Sequence, residues 1–143
     1  MNENTFVGNV TSIEGYRTTQ SGDAELTFKI AIDNGYYDAK RRWISDTVFQ
    51  KVVVYRNLAE NLQTTFASYV KNGVGLRLVV VGKFRDDSFV PKGQEHAVPR
   101  TKFVATVAAP DLSYATAEVT KVSKTATERA NDTNRERLAA VAA

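Results

Sequence analysis

Hydrophobic and polar residues alternate with a period of two through much of the first 110 positions of the chain. The clearest case is the segment 24–33, which has an apolar residue at every even position up to 32. Successive side chains of a strand point to opposite faces, so this pattern predicts a half-buried strand. Comparable patterns predict four further strands, over residues 5–13, 48–56, 74–84 and 101–108. We expect the fourth of the five to continue through residues 88–90.

The predicted third strand, residues 48–56, has two chemically different faces. Its positions 48, 52 and 54 are valine, whereas the other side carries Phe49, Lys51 and Tyr55. Aromatic rings interleaved with cations make a good surface for unpaired bases and their phosphates. A packed sheet face is the alternative, since aromatic residues are common in strands. Further aromatic residues near strand ends and close to Lys or Arg are Tyr36, Tyr37 and Phe89.

The hydrophobic period changes to that of a helix after residue 56. Apolar residues recur at helical spacing at positions 58, 62 and 66, followed by 69 or 70. Asn57 with Glu60 resembles a capping box, and the run Lys71-Asn72-Gly73 predicts the stop. Three strands, one helix and two strands predict an all-β OB-fold. This is a five-stranded Greek-key barrel with one α-helix between strands 3 and 4.

Composition narrows the function classes. The 143 residues suit one domain with an appendage, and a net charge of +3 permits a nucleic-acid partner without demanding one. The absence of cysteine excludes disulfides, thiolate metal sites and cysteine nucleophiles. With neither a signal-peptide pattern nor an 18-residue apolar run, we expect a cytoplasmic protein without a membrane partner.

Candidate catalytic and metal-binding residues are sparse. His96 is the only histidine and lies in a predicted loop, where an exposed loop residue is the expected role. Asp86 and Asp87 are adjacent carboxylates without further ligands and indicate a turn. Gly73 and Gly75 lack the third glycine of a dinucleotide fingerprint. We therefore expect a protein that is not an enzyme and has no cofactor.

In motif order and spacing the chain resembles the bacterial single-stranded DNA-binding proteins, in their actinobacterial and actinophage branch. The resemblance covers about residues 3–122. It rests on six features: Phe6-Val7-Gly8-Asn9, Phe28-Lys29-Ile30-Ala31, the run from Phe49 to Tyr55 leading into Leu58-Ala59-Glu60, Gly73, the run from Val80 to Arg85, and Leu112-Ser113-Tyr114-Ala115-Thr116-Ala117.

The resemblance implies binding of single-stranded DNA during replication, recombination and repair. By position, the base-stacking residues are Tyr36, Phe49, Tyr55 and Phe89, where relatives often have tryptophan at the first, second and fourth. The expected contacts with the DNA backbone come from Lys51, Arg56, Lys83, Arg85, Arg41 and Arg42. Weaker candidates for DNA contact are Tyr37 and Trp43, for which packing or a subunit interface is the alternative role.

The resemblance also implies a domain plan and partners. Residues 1–111 form the OB-fold, residues 112–122 an extra strand or clasp between subunits, and residues 123–143 a flexible or shortly helical tail. We expect a homotetramer, with a dimer as the alternative. The tail ends in Leu138-Ala-Ala-Val-Ala-Ala and lacks an acidic tip, so recruitment of replication and repair enzymes is in doubt. Such a tail would fit a phage or plasmid version, or a specialised second copy in a cell.

Two other functions are compatible with the same barrel. In one, the aromatic face docks a protein of a replication complex and the OB-fold is an interaction module. In the other, the face binds single-stranded RNA as cold-shock proteins do. The helix after the third strand and the Val-Gly-Asn start favour the DNA-binding family.

Overall fold

Residues 2–122 are described by a computed structural model of the chain. Their elements are β1 (Asn4–Thr18), β2 (Ala24–Asp33), β3 (Tyr36–Tyr37), β4 (Trp43–Ile44), β5 (Thr47–Tyr55), α1 (Arg56–Ser68), β6 (Arg77–Asp86) and β7 (Thr101–Pro110). The predictions for residues 123–143 lie outside this range.

Five of the strands form a closed barrel in the order β1-β2-β5-β7-β6, in which β6 also pairs with β1. All neighbouring strands are antiparallel except β5 and β7, which run parallel. The short strands β3 and β4 form a separate hairpin between β2 and β5. The helix follows the third barrel strand and precedes the fourth. The prediction of an OB-fold is therefore confirmed.

The barrel interior is filled by the inward residues of its strands. Alternate positions of β2 are buried, as the period-two pattern predicts, whereas in β5 the consecutive Val52, Val53 and Val54 are all buried. Helix α1 packs its buried Leu62 and Phe66 onto the barrel, and the Phe66 ring meets Phe28 edge-on at 5.3 Å between centroids. Burying a side chain of this size contributes about 1.5–3 kcal/mol relative to exposure. This packing holds α1 directly after the last residue of β5.

The ends of α1 differ from the prediction. The helix begins at Arg56, and its N-cap residue is Tyr55, whose side chain makes no capping hydrogen bond. The predicted capping box at Asn57 was wrong because α1 continues directly from β5 and Asn57 already lies inside its first turn. The helix also ends at Ser68, before the two apolar positions 69 and 70. The left-handed turn at residues 71–73 follows it.

The strand ends also differ from the pattern. Strand β1 runs five residues further than predicted because two irregularities in its register, after Val10 and after Ile13, let it bend and stay paired with β2. Strand β6 ends at Asp86, and Phe89 makes only an isolated bridge to Val98. Residues 112–122 form no strand within this single chain. Their predicted role as a clasp between subunits stays a prediction.

Gly82 marks the tightest approach of two barrel strands. A Cβ built on Gly82 would lie 2.0 Å from the carbonyl oxygen of Val104 and 2.6 Å from the Cα of Ala105. Both contacts are with the backbone of β7, next to the register irregularity between β6 and β7. Only glycine fits between these strands without moving one of them.

We expect Gly82→Ala to lower the free energy of unfolding by about 1–3 kcal/mol because the added methyl group overpacks the β6–β7 contact. Urea denaturation followed by circular dichroism measures this change. Gly15→Ala is the matched control, since a Cβ at Gly15 meets nothing within 4 Å, and it should stay within about 0.5 kcal/mol. Equal effects of the two substitutions would contradict the interpretation.

Candidate nucleic-acid interface

The outward face of β5 carries the aromatic and basic residues that the sequence singled out. Phe49 is 62% exposed, Lys51 is exposed and Tyr55 is half-buried. Val52 and Val54, on the other face, are fully buried. The predicted separation of the two faces is confirmed for these five residues.

Val48 shares the aliphatic side of β5 with Val52 and Val54, as predicted, but it is 44% exposed. It lies near the start of β5 and pairs with Ile32 close to the end of β2. The barrel core does not cover the inward side at this level, so periodicity gives the side on which Val48 lies but not its exposure.

The register with β2 sets the surroundings of Phe49 and Lys51. Ala31 lies opposite Phe49, and Lys29 lies opposite Lys51. Directly opposed side chains are close neighbours in a sheet. A methyl side chain opposite Phe49 leaves the phenyl ring uncovered. Lys29 is paired with Glu14 at 3.5 Å, so Lys51 supplies the positive charge beside the ring.

Tyr55 is held by a residue of β7 that the sequence analysis missed. Lys102 Nζ donates a hydrogen bond of 3.0 Å to the Tyr55 hydroxyl and lies 5.6 Å from the centre of the ring. The hydrogen bond to Tyr55 raises the pKa of Lys102 above its ordinary value of 10.5. Lys102 is therefore a fixed cation on the ring of Tyr55.

The loop between β6 and β7 places Phe89 against a second cation, Arg100. Backbone hydrogen bonds join Asp87 to Arg100 at 2.8 Å and Phe89 to Val98 at 2.7 and 3.3 Å. The guanidinium carbon of Arg100 lies 4.5 Å from the centre of the Phe89 ring. Arg100 is two residues before Lys102, so the two cations lie on the same side of the chain, Arg100 on Phe89 and Lys102 at Tyr55.

A groove runs along this surface with a volume of about 310 Å³. Among its lining residues, the positive side chains are Arg17, Lys51, Arg100 and Lys102, and the negative ones are Glu25 and Asp87. Each carboxylate is paired with an arginine, Glu25 with Arg17 and Asp87 with Arg100, both at 2.9 Å. Within residues 2–122, Lys51 and Lys102 form no ion pair, so the groove carries a positive excess.

A second groove adjoins the first at Tyr55 and Lys102. It adds Arg56 and Arg85, two of the predicted backbone-contact residues. Arg56 pairs with Asp23 at 3.4 Å. Lys83 lines neither groove but lies on β6 two residues before Arg85, on the same outward side. The two grooves form one basic surface around Tyr55.

The β3–β4 hairpin carries three of the other predicted residues. Tyr37 and Trp43 are paired across the hairpin, with their rings in an edge-to-face contact of 5.1 Å. Trp43 also covers Gly35, where a Cβ would lie 2.1 Å from its indole. Tyr36 is exposed and pairs with Ile44. These contacts support the alternative role of Tyr37 and Trp43, which is packing.

The loop of this hairpin contains Arg41 and Arg42. Arg41 has a left-handed backbone with a φ of 58°, and Arg42 Nε lies 3.1 Å from Asp38 Oδ2. The Asp38 carboxylate also accepts hydrogen bonds from the backbone N–H groups of Lys40 and Arg42. Arg42 therefore helps to close the loop, whereas Arg41 has no ion pair among residues 2–122.

Tyr55 lines both grooves, whereas Tyr36, Phe49 and Phe89 line neither. Phe89 borders the first groove through its contact with Arg100. Phe49 and Tyr55 are six residues apart on one strand, which is roughly 20 Å. Their roles as a stacking track stay a prediction. Arg17, Arg100 and Lys102 were not found from the sequence. Arg17 reaches the groove through the pairing of β1 with β2, and Arg100 and Lys102 through the pairing of β5 with β7, and neither long-range pairing leaves a local pattern.

Within residues 2–122 there is no group of three or more metal-ligating side chains. The only helix longer than a turn in that range, α1, is too short and too polar to cross a membrane.

A closed Greek-key barrel with rings and cations on its β2–β5 face and on the loop before its last strand belongs to the OB-fold class. OB-folds bind oligonucleotides and oligosaccharides with this face and these loops. The family model described as the single-strand binding protein family matches residues 1–109, and the chain belongs to this family.

Individual relatives agree with the family. The single-stranded DNA-binding protein of Mycobacterium leprae is 30% identical over 123 residues, which are 84% of this chain and 68% of the relative. That of Mycolicibacterium smegmatis is 29% identical, over 84% of this chain and 70% of the relative. The family resemblance predicted from the sequence is confirmed.

Two solved structures are similar in fold. The crystal structure of the small single-stranded DNA-binding protein from Streptomyces coelicolor aligns with a TM-score of 0.55 at 28% identity, covering 78% of this chain and 95% of that one. A deletion mutant of the single-stranded DNA-binding protein from Thermus aquaticus aligns with a TM-score of 0.61 at 17% identity, covering 80% and 52%. The second comparison shows the fold alone.

Asp86 fixes the turn that leads to Phe89. Its carboxylate accepts hydrogen bonds from the hydroxyl and the backbone N–H of Ser88, which hold the pKa of Asp86 below its ordinary value of 3.8. A lowered folded-state pKa means that the turn contributes stability above the ordinary pKa. That contribution is lost as the pH falls through the folded-state pKa.

We expect Ser88→Ala to raise the pKa of Asp86 toward 3.8, because the main donor to the carboxylate is removed. Titration of the carboxyl carbon resonances by NMR measures this. Asp111 is an internal control in the same spectra, since its lowered pKa depends on Ser113 and Arg77 and should not move. An unchanged pKa of Asp86 would contradict the role given to Ser88.

Proposed function

We propose that the protein binds single-stranded DNA without sequence preference and performs no chemistry on it. The observation that carries the proposal is the outward face of β5, where Phe49, Lys51 and Tyr55 stand on a barrel whose opposite face is aliphatic core. Folding does not require rings on that face, whereas a binding surface does. Every base has a flat π-face, so stacking accepts all four bases.

Stacking residues and cations have separate tasks in this proposal. Bases stack on Tyr36, Phe49, Tyr55 and Phe89, and phosphates lie along Lys51, Arg56, Lys83, Arg85 and Lys102. Arg41 is the loop cation that best fits an additional phosphate contact. Exposed rings cannot stack on bases that are already paired within a duplex. Preference for the unpaired state protects unwound DNA and opens hairpins by mass action, which is the proposed role in replication, recombination and repair.

We further propose a homotetramer in which residues 112–122 clasp a neighbouring subunit. Tyr114 and Val119 in this segment are each 90% exposed in the single chain. Burial of these side chains against a second copy would remove apolar surface from water. Light scattering at micromolar concentration should give four times the 15.8 kDa mass of one chain. The mass of one subunit would overturn this arrangement.

Binding is tested by titrating labelled oligo(dT), oligo(U) and duplex DNA with the protein at several salt concentrations. We expect oligo(dT) to bind most tightly. Phe49→Ala and Tyr55→Ala should each lower affinity by about 1–3 kcal/mol, the range known for base–aromatic stacking in OB-folds. Absence of oligo(dT) binding would overturn the proposal and favour the protein-interaction module, and tighter binding of oligo(U) would favour an RNA partner.

Two further variants serve as controls. Tyr69→Ala removes a tyrosine of comparable exposure at the far end of α1, away from both grooves, and should leave affinity unchanged. Tyr55→Phe keeps the ring but removes the hydroxyl that Lys102 contacts. It should therefore retain most of the affinity that Tyr55→Ala loses.

A further inference from the structure

The pair formed by Arg100 and Asp87 occupies the part of the groove that lies beside Phe89. Arg100 Nη2 lies 2.9 Å from Asp87 Oδ2, and the guanidinium covers one face of the Phe89 ring at 4.5 Å. Asp87 and Arg100 both line the groove with Tyr55 and Lys102. The Phe89 side chain remains 42% exposed. The cation nearest to this ring is thus already engaged by a carboxylate of the same chain.

The strand register gives these side chains one common outward face. Arg85 lies opposite Lys102, the backbone of Asp87 bonds to that of Arg100, and Phe89 lies opposite Val98. Alternate residues of paired strands share a face. Arg100 and Lys102 therefore stand roughly 7 Å apart along β7 and its leading loop. A strand whose bases stack on Phe89 and Tyr55 would carry its intervening phosphates past both cations.

Resting on the proposed function, we propose that Arg100 is a phosphate-binding residue of the groove and that Asp87 is an internal counter-charge which the phosphate displaces. In the free protein the Asp87 carboxylate stands where the phosphate will stand. When the strand binds, Arg100 exchanges one anionic partner for another. Arg100 keeps its plane on Phe89, so the exchange needs a movement of the Asp87 side chain only.

This exchange has a consequence for the salt dependence of binding. A free cation that contacts a phosphate adds about 0.7 to the slope of log affinity against log salt for single strands. Arg100 adds less than this because Asp87 already neutralises it. Asp87 therefore lowers both the affinity and its salt dependence, which a residue with only a structural role would not do.

The test is a double-mutant cycle on Asp87 and Arg100 with oligo(dT) as the probe. Asp87→Asn keeps the shape of the side chain and the backbone hydrogen bond to Arg100. We expect it to tighten binding about two- to fivefold, which corresponds to the free energy of one exposed ion pair, and to steepen the salt slope by up to about 0.7. Arg100→Gln should weaken binding, and Asp87→Asn should then have no further effect on affinity or slope.

Glu95→Gln is the matched control, since Glu95 is an exposed carboxylate of the same loop that lines neither groove. An equal gain from Glu95→Gln, or a gain from Asp87→Asn that persists beside Arg100→Gln, would show long-range repulsion and overturn the proposal. An unchanged salt slope in Asp87→Asn would also overturn it. Failure of the wild-type protein to bind oligo(dT) would refute the proposed function instead. Urea midpoints of all variants identify any that are merely less stable, and Arg100→Met, which also removes the charge, then replaces Arg100→Gln.

Discussion

The parallel pairing of β5 with β7 is the contact on which both the barrel and its surface depend. It joins Val52 to Phe103 and Val53 to Val104, across about fifty residues of chain. The inward partners fill the core, and on the outside the same pairing places Lys102 where its side chain reaches the Tyr55 hydroxyl. Without this pairing, β5 would have a free edge and Tyr55 would lack the cation that fixes its ring. The strand pairing that closes the barrel therefore also forms the basic groove.

The two faces of β5 show how a sheet can serve packing and binding at once. Burial of Val52, Val53 and Val54 stabilises the barrel, so Phe49, Lys51 and Tyr55 are not needed for the core. Phe49 stays largely exposed, and Ala31 opposite it offers little cover. An exposed ring gains no burial free energy in the free protein. The gain comes only when a flat apolar partner such as an unpaired base covers it, which is why the ring favours a binding role.

Local periodicity predicted the parts of this structure that depend on neighbouring residues. Alternation along the chain predicts the five barrel strands and the outward position of Phe49, Lys51 and Tyr55. Helical spacing of apolar residues predicts the helix. Features that depend on long-range register did not follow. Lys102 and Arg100 gain their place from the β5–β7 pairing and from the bridge between Phe89 and Val98. The error at Asn57 has a similar origin, since the packing of α1 on the barrel, not a polar cap, determines where the helix begins.

The carboxylates that keep the net charge of the chain low also have a structural role near the grooves. Several arginines around the grooves are paired with carboxylates: Arg17 with Glu25, Arg56 with Asp23, and Arg100 with Asp87. A phosphate that approaches these arginines must compete with an anion already in place, so charge alone gives a small gain. Duplex DNA offers phosphates without accessible base faces, whereas an unpaired strand offers both. Neutralising the arginines internally therefore shifts the balance of free energy toward stacking. The carboxylates that keep the net charge low would, through these ion pairs, favour single strands over duplex.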